Sequence, residues 1–292
     1  MDGSIHAKAQ ADLAFLHSII PEAEAAGRVN LQIPGPFSRL ERVLAYYLAK
    51  ERFSGRGHFI ELGSFLGAST QAFAAGLKEN SVAPEDTKII DAYDLFQFVG
   101  NWDTTYQNKM LSDGEKSSFL HKFVDNISGF ERYIRIHSGD ILQAEAPIDG
   151  RSTEILFVDL CKTEQIMMHV AEAFFPKLAV GSRYIQQDYL FGGLPFIKSF
   201  HEIIWDYFEL EFISPPTLAF RLVKPFDLGA GRLRRYRDMS RAEKLTLIEA
   251  NGKRFGQPYE EVFRKNVELK NHGGWWPEAT ASQAPSTPAP RA

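Results

Sequence analysis

The segment Phe59–Thr70, which reads FIELGSFLGAST, constrains the fold of this chain more than any other. An apolar run ends at Glu61, and the chain then turns through Gly63 and Gly67 into an apolar helix that begins at Leu66. Glycine tolerates positive φ and lets a ligand approach the backbone, while the start of a helix offers free N–H groups. This order predicts the first strand, turn and helix of a nucleotide-binding α/β unit.

Strand and helix patterns alternate along the middle of the chain. The predicted strands are His58–Glu61, Lys88–Tyr93, Tyr133–His137, Glu154–Asp159 and Arg183–Gln187. The predicted helices are Leu66–Leu77, Lys116–Ile127, Thr163–Phe175 and Leu194–Trp205. Such alternation favours a parallel sheet with helices on both faces.

Two further strand patterns, Tyr207–Ile213 and Thr217–Val223, are joined only by a short link that contains Pro215 and Pro216. A parallel crossover needs about a dozen residues or more, so this link predicts an antiparallel hairpin. The chain should therefore form a mostly parallel α/β sheet that ends in an antiparallel hairpin.

Helical patterns also flank this central region. Residues 9–26 and Phe37–Arg52 precede the first strand, and Ala242–Ala250 and Tyr259–Leu269 follow the last. We therefore divide the chain into a helical cap (1–54), a central domain (55–225), a helical extension (226–276) and a disordered tail rich in Ala, Pro, Ser and Thr (277–292). The first two helices should form a cap or an oligomer face, or else pack against the edge of the sheet.

Composition excludes several classes of protein. The chain is 44% hydrophobic and carries a net charge of −4, so it has enough apolar residues for a core and no basic field for nucleic acid. Its apolar runs fall short of the roughly 20 residues that span a bilayer. A single cysteine, Cys161, and an N-terminus without signal-peptide features predict a cytoplasmic protein.

Every predicted parallel strand ends in a polar group, at its last residues or just after them. These groups are Glu61, Asp91 and Asp94, Asp140, Asp159, and Gln187 with Asp188. In parallel α/β sheets, ligands lie beyond the carboxyl ends of the strands. These residues therefore predict one shared ligand site at that edge.

The Gly-x-x-x-Gly turn, with an acid two residues before its first glycine, resembles the cofactor loop of class I S-adenosylmethionine-dependent methyltransferases. The resemblance extends over roughly Gly57 to Lys224, because a parallel run that closes with a hairpin is the strand order of that family. It implies a Rossmann-like, mostly parallel seven-stranded sheet. A nicotinamide dehydrogenase is disfavoured, because Gly-x-Gly-x-x-Gly is missing. The 33 residues from Glu61 to Asp94 also exceed the roughly 20 of that fingerprint.

The resemblance assigns cofactor roles by position. Glu61 would order the loop around the methionine moiety, an acid after the second strand would hold the ribose, and Asp140 in Ser138-Gly139-Asp140 would meet the adenine. Asp94-Leu95-Phe96-Gln97 resembles the Asp-x-Phe-Glu stretch of macrocin-type sugar O-methyltransferases, which favours Asp94 over Asp91. The implied cofactor-binding residues are Glu61, Gly63, Ser64, Gly67, Ser69, Asp94, Asp140 and Asp159.

Asp159-Leu160-Cys161-Lys162 resembles the Asp-x-x-Lys motif of catechol-type O-methyltransferases. There the Asp binds a divalent cation and the Lys deprotonates the acceptor hydroxyl, which implies catalytic roles for Asp159 and Lys162. Asp188 and Gln187 would complete a Mg²⁺ site, although Gln187 is neutral where the family often has Asp. Without a metal, Lys162, His169 or His201 would be the base.

Other residues have two interpretations each. The aromatic side chains Phe96, Phe98, Trp102 and Tyr106 would line an acceptor pocket or pack their loop on the core. The basic run Arg232–Arg237 would be a solvated linker or a phosphate clamp. Trp275 and Trp276 would dock the C-terminus or mark a partner surface.

Together these features predict a cytoplasmic S-adenosylmethionine-dependent O-methyltransferase that acts on a small hydroxylated acceptor. A sugar of a glycan or of a secondary metabolite is the favoured acceptor class, and catechol-like acceptors stay open. The expected partners include neither nucleic acid nor a membrane, and the terminal helices could join a homo-oligomer. The alternative is an inactive methyltransferase-like scaffold or assembly partner in a biosynthetic complex.

Overall fold

The computed structural model describes residues 2–84, 88–98, 118–227, 229–257 and 259–268. Its strands are β1 His58–Leu62, β2 Ile90–Asp94, β3 Ile134–Ser138, β4 Thr153–Val158, β5 Leu178–Gln186, β6 Phe208–Ser214 and β7 Thr217–Leu222. Its helices are α1 Asp2–Glu24, α2 Arg39–Arg52, α3 Ala68–Glu79, α4 Leu120–Asn126, α5 Glu164–Ala173, α6 Pro195–Ile204, α7 Gly229–Asp238, α8 Arg241–Phe255 and α9 Glu260–Glu268. The predictions for Trp102, Tyr106, Trp275, Trp276 and the tail 277–292 fall outside the described residues.

The seven strands form one sheet in the order β3-β2-β1-β4-β5-β7-β6. Strands β1 to β5 pair in parallel, whereas β7 is antiparallel to both β5 and β6. The hairpin therefore inserts its second strand, β7, next to β5. The predicted Rossmann-like sheet with a terminal antiparallel hairpin is confirmed.

Both faces of the sheet are covered, as a parallel sheet requires. Neighbouring residues alternate between faces: Phe59 joins a core with α1 to α4, and Ile60 joins a second core with α5 to α9. Both side chains are fully buried. The strand tips are consequently held by packing from two sides.

The N-terminal helix α1 packs against the edge strand β6. Asp12 Oδ2 accepts a hydrogen bond from the backbone N–H of Ile213 at 2.9 Å, and Lys8 Nζ donates to the carbonyl of Glu211 at 2.6 Å. These bonds satisfy backbone groups that an edge strand would otherwise leave open. Of the arrangements predicted for the first two helices, packing on the sheet edge is the one that α1 adopts. The four-part division of the chain stays a prediction.

The C-terminal extension packs on the other face. The basic run lies in helix α7, whose Tyr236 is fully buried and hydrogen-bonded to Ser199 at 2.7 Å between the two hydroxyl oxygens. Arg237 pairs with Glu172 at 2.5 Å. The arginines of the run are solvent-exposed, as predicted, but they lie on a helix and not in a linker, because the buried Tyr236 anchors the run. In the described segments, no helix combines the length and hydrophobicity needed to cross a membrane.

Candidate functional site

The turn after β1 brings two strand ends into close contact. Gly63 has a φ of +94°, and its N–H donates to the carbonyl of Tyr93 at 2.8 Å. A Cβ at Gly63 would lie 2.9 Å from the carbonyl carbon of Asp159. Gly67, with a φ of +86°, caps α3, which therefore begins two residues later than predicted. Both positions favour glycine, because their positive φ disfavours any residue with a side chain. At Gly63 a Cβ would also clash with the backbone of Asp159.

Glu61 is a buried carboxylate at the end of β1. It accepts hydrogen bonds from Ser69 Oγ at 2.5 Å and from Thr70 Oγ1 at 2.7 Å. Burial raises the pKa of Glu61 to about 7, against the lowering effect of both hydroxyls. The carboxylate thus ties β1 to the start of α3. The hydroxyl of Ser69, which was predicted to face the cofactor, instead donates a hydrogen bond to Glu61. Thr70 is a second donor to Glu61, and the sequence analysis did not predict it.

Asp94 orders the loops that follow β1 and β2. Its carboxylate accepts hydrogen bonds from the backbone N–H of Phe65 at 2.8 Å and of Phe96 at 2.7 Å. Burial raises its pKa, although these backbone bonds lower it. Asp94 therefore lies beside the glycine turn, and its role in holding the ribose stays a prediction.

Asp91, the alternative to Asp94 as the ribose-binding acid, interacts with a different set of side chains. Its oxygens lie 2.6 Å from Arg135 Nη1, 2.8 Å from His137 Nε2 and 3.1 Å from His58 Nδ1. Burial would raise the pKa of Asp91, but His137 and Arg135 hold it below its usual value. Every partner is a structural side chain of the sheet, so the geometry favours Asp94 for ligand contact.

Asp140 lies on the exposed loop after β3. Its carboxylate accepts from the backbone N–H of Leu142 at 3.0 Å and so caps a short turn. Asp140 lines a cavity of about 450 Å³, which Tyr93, His137 and Gly139 also line. The predicted adenine contact is thus at the rim of an open space next to β2 and β3.

Backbone strain marks the same edge of the sheet. Among the described residues, three non-glycine residues have positive φ: Phe65 at 43°, Phe96 at 52° and Asp188 at 63°. They follow β1, β2 and β5, respectively. Residues held in this region cost free energy and cluster at ligand sites, so their placement supports a shared site at the carboxyl ends of the strands.

Two buried polar atoms at this edge lack a partner. Within the described segments, Ser64 Oγ and Gln187 Oε1 are buried and make no hydrogen bond. Ser64 follows β1, and Gln187 follows β5. A buried polar atom left unpaired costs about 1–3 kcal/mol, so both atoms are suited to meet a ligand or a water molecule.

The predicted catalytic pair forms a three-membered ionic cluster. Lys162 Nζ lies 3.0 Å from Asp159 Oδ1 and 2.6 Å from Asp188 Oδ2. Burial raises the pKa of Asp159 to about 7, with Lys162 acting in the opposite direction and Asp188 adding to the rise. Burial would lower the pKa of Lys162, but Asp159 and Asp188 together raise it above its usual value. A lysine that acts as a base needs a depressed pKa, whereas the two carboxylates around this ammonium favour its charged form.

Glu41 is a residue near this cluster that the sequence did not single out. It is buried at the start of α2, where its carboxylate accepts from Thr217 Oγ1 at 2.5 Å and from the N–H of Ser38 at 2.8 Å. Burial raises its pKa, and the negative charge of Asp188 adds to that rise. The capping-box pattern Ser-x-x-Glu was the available signal, but it indicates only a helix start.

The predicted Mg²⁺ ligands do not fit a divalent cation. Asp159 and Asp188 are both paired with Lys162, and Gln187 supplies only a neutral oxygen, whereas Mg²⁺ favours carboxylates. In the parts of the chain that the structure describes, no group of three or more His, Cys, Asp or Glu residues could hold a metal ion. The magnesium prediction is therefore not supported.

The histidines proposed as alternative bases have other surroundings. His169 Nε2 lies 2.9 Å from the carbonyl oxygen of Ala144. His201 is fully buried against Tyr184 and Phe220, and burial lowers its pKa to about 3. Cys161 is also buried, and burial raises its pKa to about 12.

Phe96 and Phe98 pack the loop after β2 on the core. Both are buried, and both rings contact Phe119, with centroids 5.9 and 4.8 Å away. Of the two interpretations offered for these aromatic residues, packing is the one seen for Phe96 and Phe98.

Comparison with known families gives a match for the central part of the chain. Residues 60–189 match the family model described as a methyltransferase domain. This segment is similar to a methyltransferase domain. The match includes the glycine turn, the Asp94 loop and the Asp159–Lys162–Asp188 cluster, and the strand order agrees with a class I, S-adenosylmethionine-dependent methyltransferase.

Solved structures similar to this chain are distant from it in sequence. The O-methyltransferase NovP is 14% identical, with a TM-score of 0.48, over 65% of this chain and 84% of its own. The calicheamicin methyltransferase CalS11 is 14% identical, with a TM-score of 0.44, over 73% and 91%. TomG from Streptomyces achromogenes, described as an O-methyltransferase of tomaymycin synthesis, is 15% identical, with a TM-score of 0.44, over 75% and 99%. At these values the likeness carries no inference about the acceptor. No curated protein matches the sequence.

Proposed function

We propose that this methyltransferase transfers a methyl group from S-adenosylmethionine to a hydroxyl of a small acceptor. The observation that carries the proposal is the convergence of Glu61, Asp94 and Asp159 beside the turn at Gly63. Asp94 and Asp159 are close enough to raise the pKa of Glu61 by charge repulsion. The backbone of Gly63 lies against that of Asp159.

The cofactor would bind where Glu61, Asp94 and Asp159 converge. Asp94 would accept hydrogen bonds from the ribose hydroxyls, and Asp140 would accept one from the adenine amine, because a carboxylate forms strong charge-assisted bonds with neutral donors. The unpartnered hydroxyl of Ser64 would gain a partner in the bound state. Gly63 and Gly67 would admit the methionine moiety close to the backbone, and Glu61 would hold that turn through Ser69.

The reaction itself needs alignment and a proton acceptor. The acceptor oxygen attacks the methyl carbon, the carbon–sulfur bond breaks, and its electron pair returns to the sulfur. The hydroxyl proton must leave during this step. We assign Asp159 as the proton acceptor, because its pKa of about 7 suits a general base at neutral pH, whereas Lys162 is held in its charged form.

The acceptor class follows from the sequence motif and from the polarity of the site. Asp94-Leu95-Phe96-Gln97 resembles the sugar O-methyltransferase motif, and the cluster at Asp159 offers both donors and acceptors to a polyhydroxylated molecule. We therefore propose a sugar of a glycan or of a secondary metabolite as the acceptor. A cytoplasmic location is part of the proposal, on the basis of the single cysteine.

Isothermal titration with S-adenosylmethionine and S-adenosylhomocysteine tests the cofactor, and methyl incorporation from labelled cofactor into a metabolite extract tests the transfer. We expect saturable binding of both nucleosides and a labelled product with a base-stable methyl ether. Asp159→Asn should abolish the label, whereas the control Asp238→Asn changes an exposed carboxylate of α7 and should leave it intact. Binding without any labelled product would favour the scaffold alternative, and an absence of binding would overturn the proposal.

A further inference from the structure

Lys162 places a positive charge between the two carboxylates that the sequence assigned to a metal. Its Nζ lies within 3.0 Å of Asp159 Oδ1 and within 2.6 Å of Asp188 Oδ2. The tight turn that carries it, in which the N–H of Lys162 donates to the carbonyl of Leu160 at 2.7 Å, directs the side chain back towards Asp159. Asp188 is presented to it from a left-handed backbone conformation after β5.

We infer that the ammonium of Lys162 replaces the divalent cation in this site, and that the domain works without a bound metal. The inference rests on the proposed function, because it concerns the site where the acceptor hydroxyl would react. A metal would have to displace both ion pairs of Lys162. It would also gain only a neutral oxygen from Gln187 as a third ligand.

The acidic groups around Lys162 support this replacement. Asp159 and Asp188 bring two carboxyl groups within 3.0 Å of a single ammonium. A cation is therefore needed at this point, and the chain itself supplies one. Lysine meets this need as a point charge on a flexible stem.

Lys162 would also contact the acceptor. An ammonium has three N–H donors, and two of them are used by Asp159 and Asp188. The third can donate to the acceptor oxygen, whose negative charge grows during the transfer. The side chain of Lys162 is 42% exposed, so a bound molecule can reach it from the solvent side.

Manganese binding, followed by electron paramagnetic resonance, tests the replacement without any assay of activity. The wild-type protein should bind no Mn²⁺ at millimolar concentration. Lys162→Met leaves the two carboxylates without their cation and should gain affinity on the order of tenfold or more. Lys162→Gln should give the same gain and serves if the Met variant does not fold, and Lys253→Met, an exposed lysine of α8, is the matched control.

Adding Asp188→Asn to Lys162→Met should remove the gained affinity, which locates the bound ion at this cluster. Wild-type protein that binds Mn²⁺ and loses it on Asp188→Asn alone would overturn the inference, as would Lys162 variants that gain no affinity. These results do not depend on the cofactor, so a failure of cofactor binding would count against the proposed function and leave the manganese result unchanged.

Discussion

The carboxylate of Glu61 and the hydroxyl of Ser69 are 2.5 Å apart, and this bond joins the end of β1 to the first turn of α3. Both side chains are buried. The turn between them contains Gly63 and Gly67, so the bond closes the loop on which the cofactor would rest. A buried acid therefore controls the shape of this loop, and its protonation should influence both stability and binding.

Glu61→Gln should flatten the dependence of stability on pH. The pKa of Glu61 is about 7 in the folded state and near 4.5 ordinarily, so between these values the folded protein retains a proton that the unfolded chain has released. Stability should thus fall as pH rises through this window, by about 3 kcal/mol for this one group. Urea unfolding at pH 5 and pH 8 measures the difference. The exposed control Glu249→Gln should keep the wild-type slope, and an unchanged slope in Glu61→Gln would contradict the assignment.

Asp94→Asn should weaken binding of S-adenosylmethionine by roughly 10- to 100-fold, because hydrogen bonds to a charged group contribute about 1.5–3 kcal/mol. The change preserves size and leaves an amide oxygen for the N–H of Phe65 or Phe96. Isothermal titration measures the affinity, and circular dichroism checks the fold. Equal affinity in the variant and the wild type would remove Asp94 from the site.

Asp91→Asn should lower stability and preserve cofactor binding, which is the opposite of the effect expected for Asp94→Asn. It removes the buried charge that pairs with His58, Arg135 and His137. Because the Arg135 and His137 side chains are 43% and 33% exposed, we expect a cost of about 1–3 kcal/mol. We expect a lower unfolding midpoint in urea, with the cofactor affinity of the remaining folded protein preserved. A stable variant that fails to bind the cofactor would show that Asp91, and not only Asp94, serves the ligand.

Gly63→Ala should lower both stability and cofactor affinity. The added Cβ would lie 2.9 to 3.0 Å from backbone atoms of Asp159 and Leu160, in a residue whose φ of +94° already disfavours a side chain. Gly231→Ala is the matched control, because a Cβ there meets no atom within 4 Å inside helix α7. Alanine should stabilise that helix by about 0.5–1 kcal/mol. Thermal unfolding compares the two, and a Gly63→Ala variant as stable as wild type would argue against this close approach.

His201→Phe should reduce sensitivity to acid. Within the described residues neither ring nitrogen of His201 has a hydrogen-bond partner, and its pKa falls to about 3. The unfolded chain therefore binds a proton below about pH 6.5 that the folded protein does not, and stability is lost at about 1.4 kcal/mol per pH unit as the pH decreases. Unfolding in urea at pH 7 and pH 5 should show a smaller loss in the variant. An equal loss would place the acid sensitivity elsewhere.

Local sequence determined much of the fold. The alternation of apolar runs and helical patterns, the two glycines after β1 and the short Pro215–Pro216 link each act over a few residues, so they predicted the parallel run and the antiparallel hairpin. The polar residues at the strand ends could be recognised for the same reason, because the carboxyl ends of parallel strands meet at one edge.

Only the tertiary structure decided how these polar residues are paired. Asp91 pairs with side chains of β1 and β3, whereas Asp94 bonds to the backbone of the loops after β1 and β2. Lys162 lies between two carboxylates. Glu41 contacts Thr217, which lies 176 positions further along the chain. Burial and ion pairing depend on contacts between segments that are distant in the sequence. Spacing within one segment cannot reveal them, and for that reason the sequence predicted a metal site where the folded chain places a lysine.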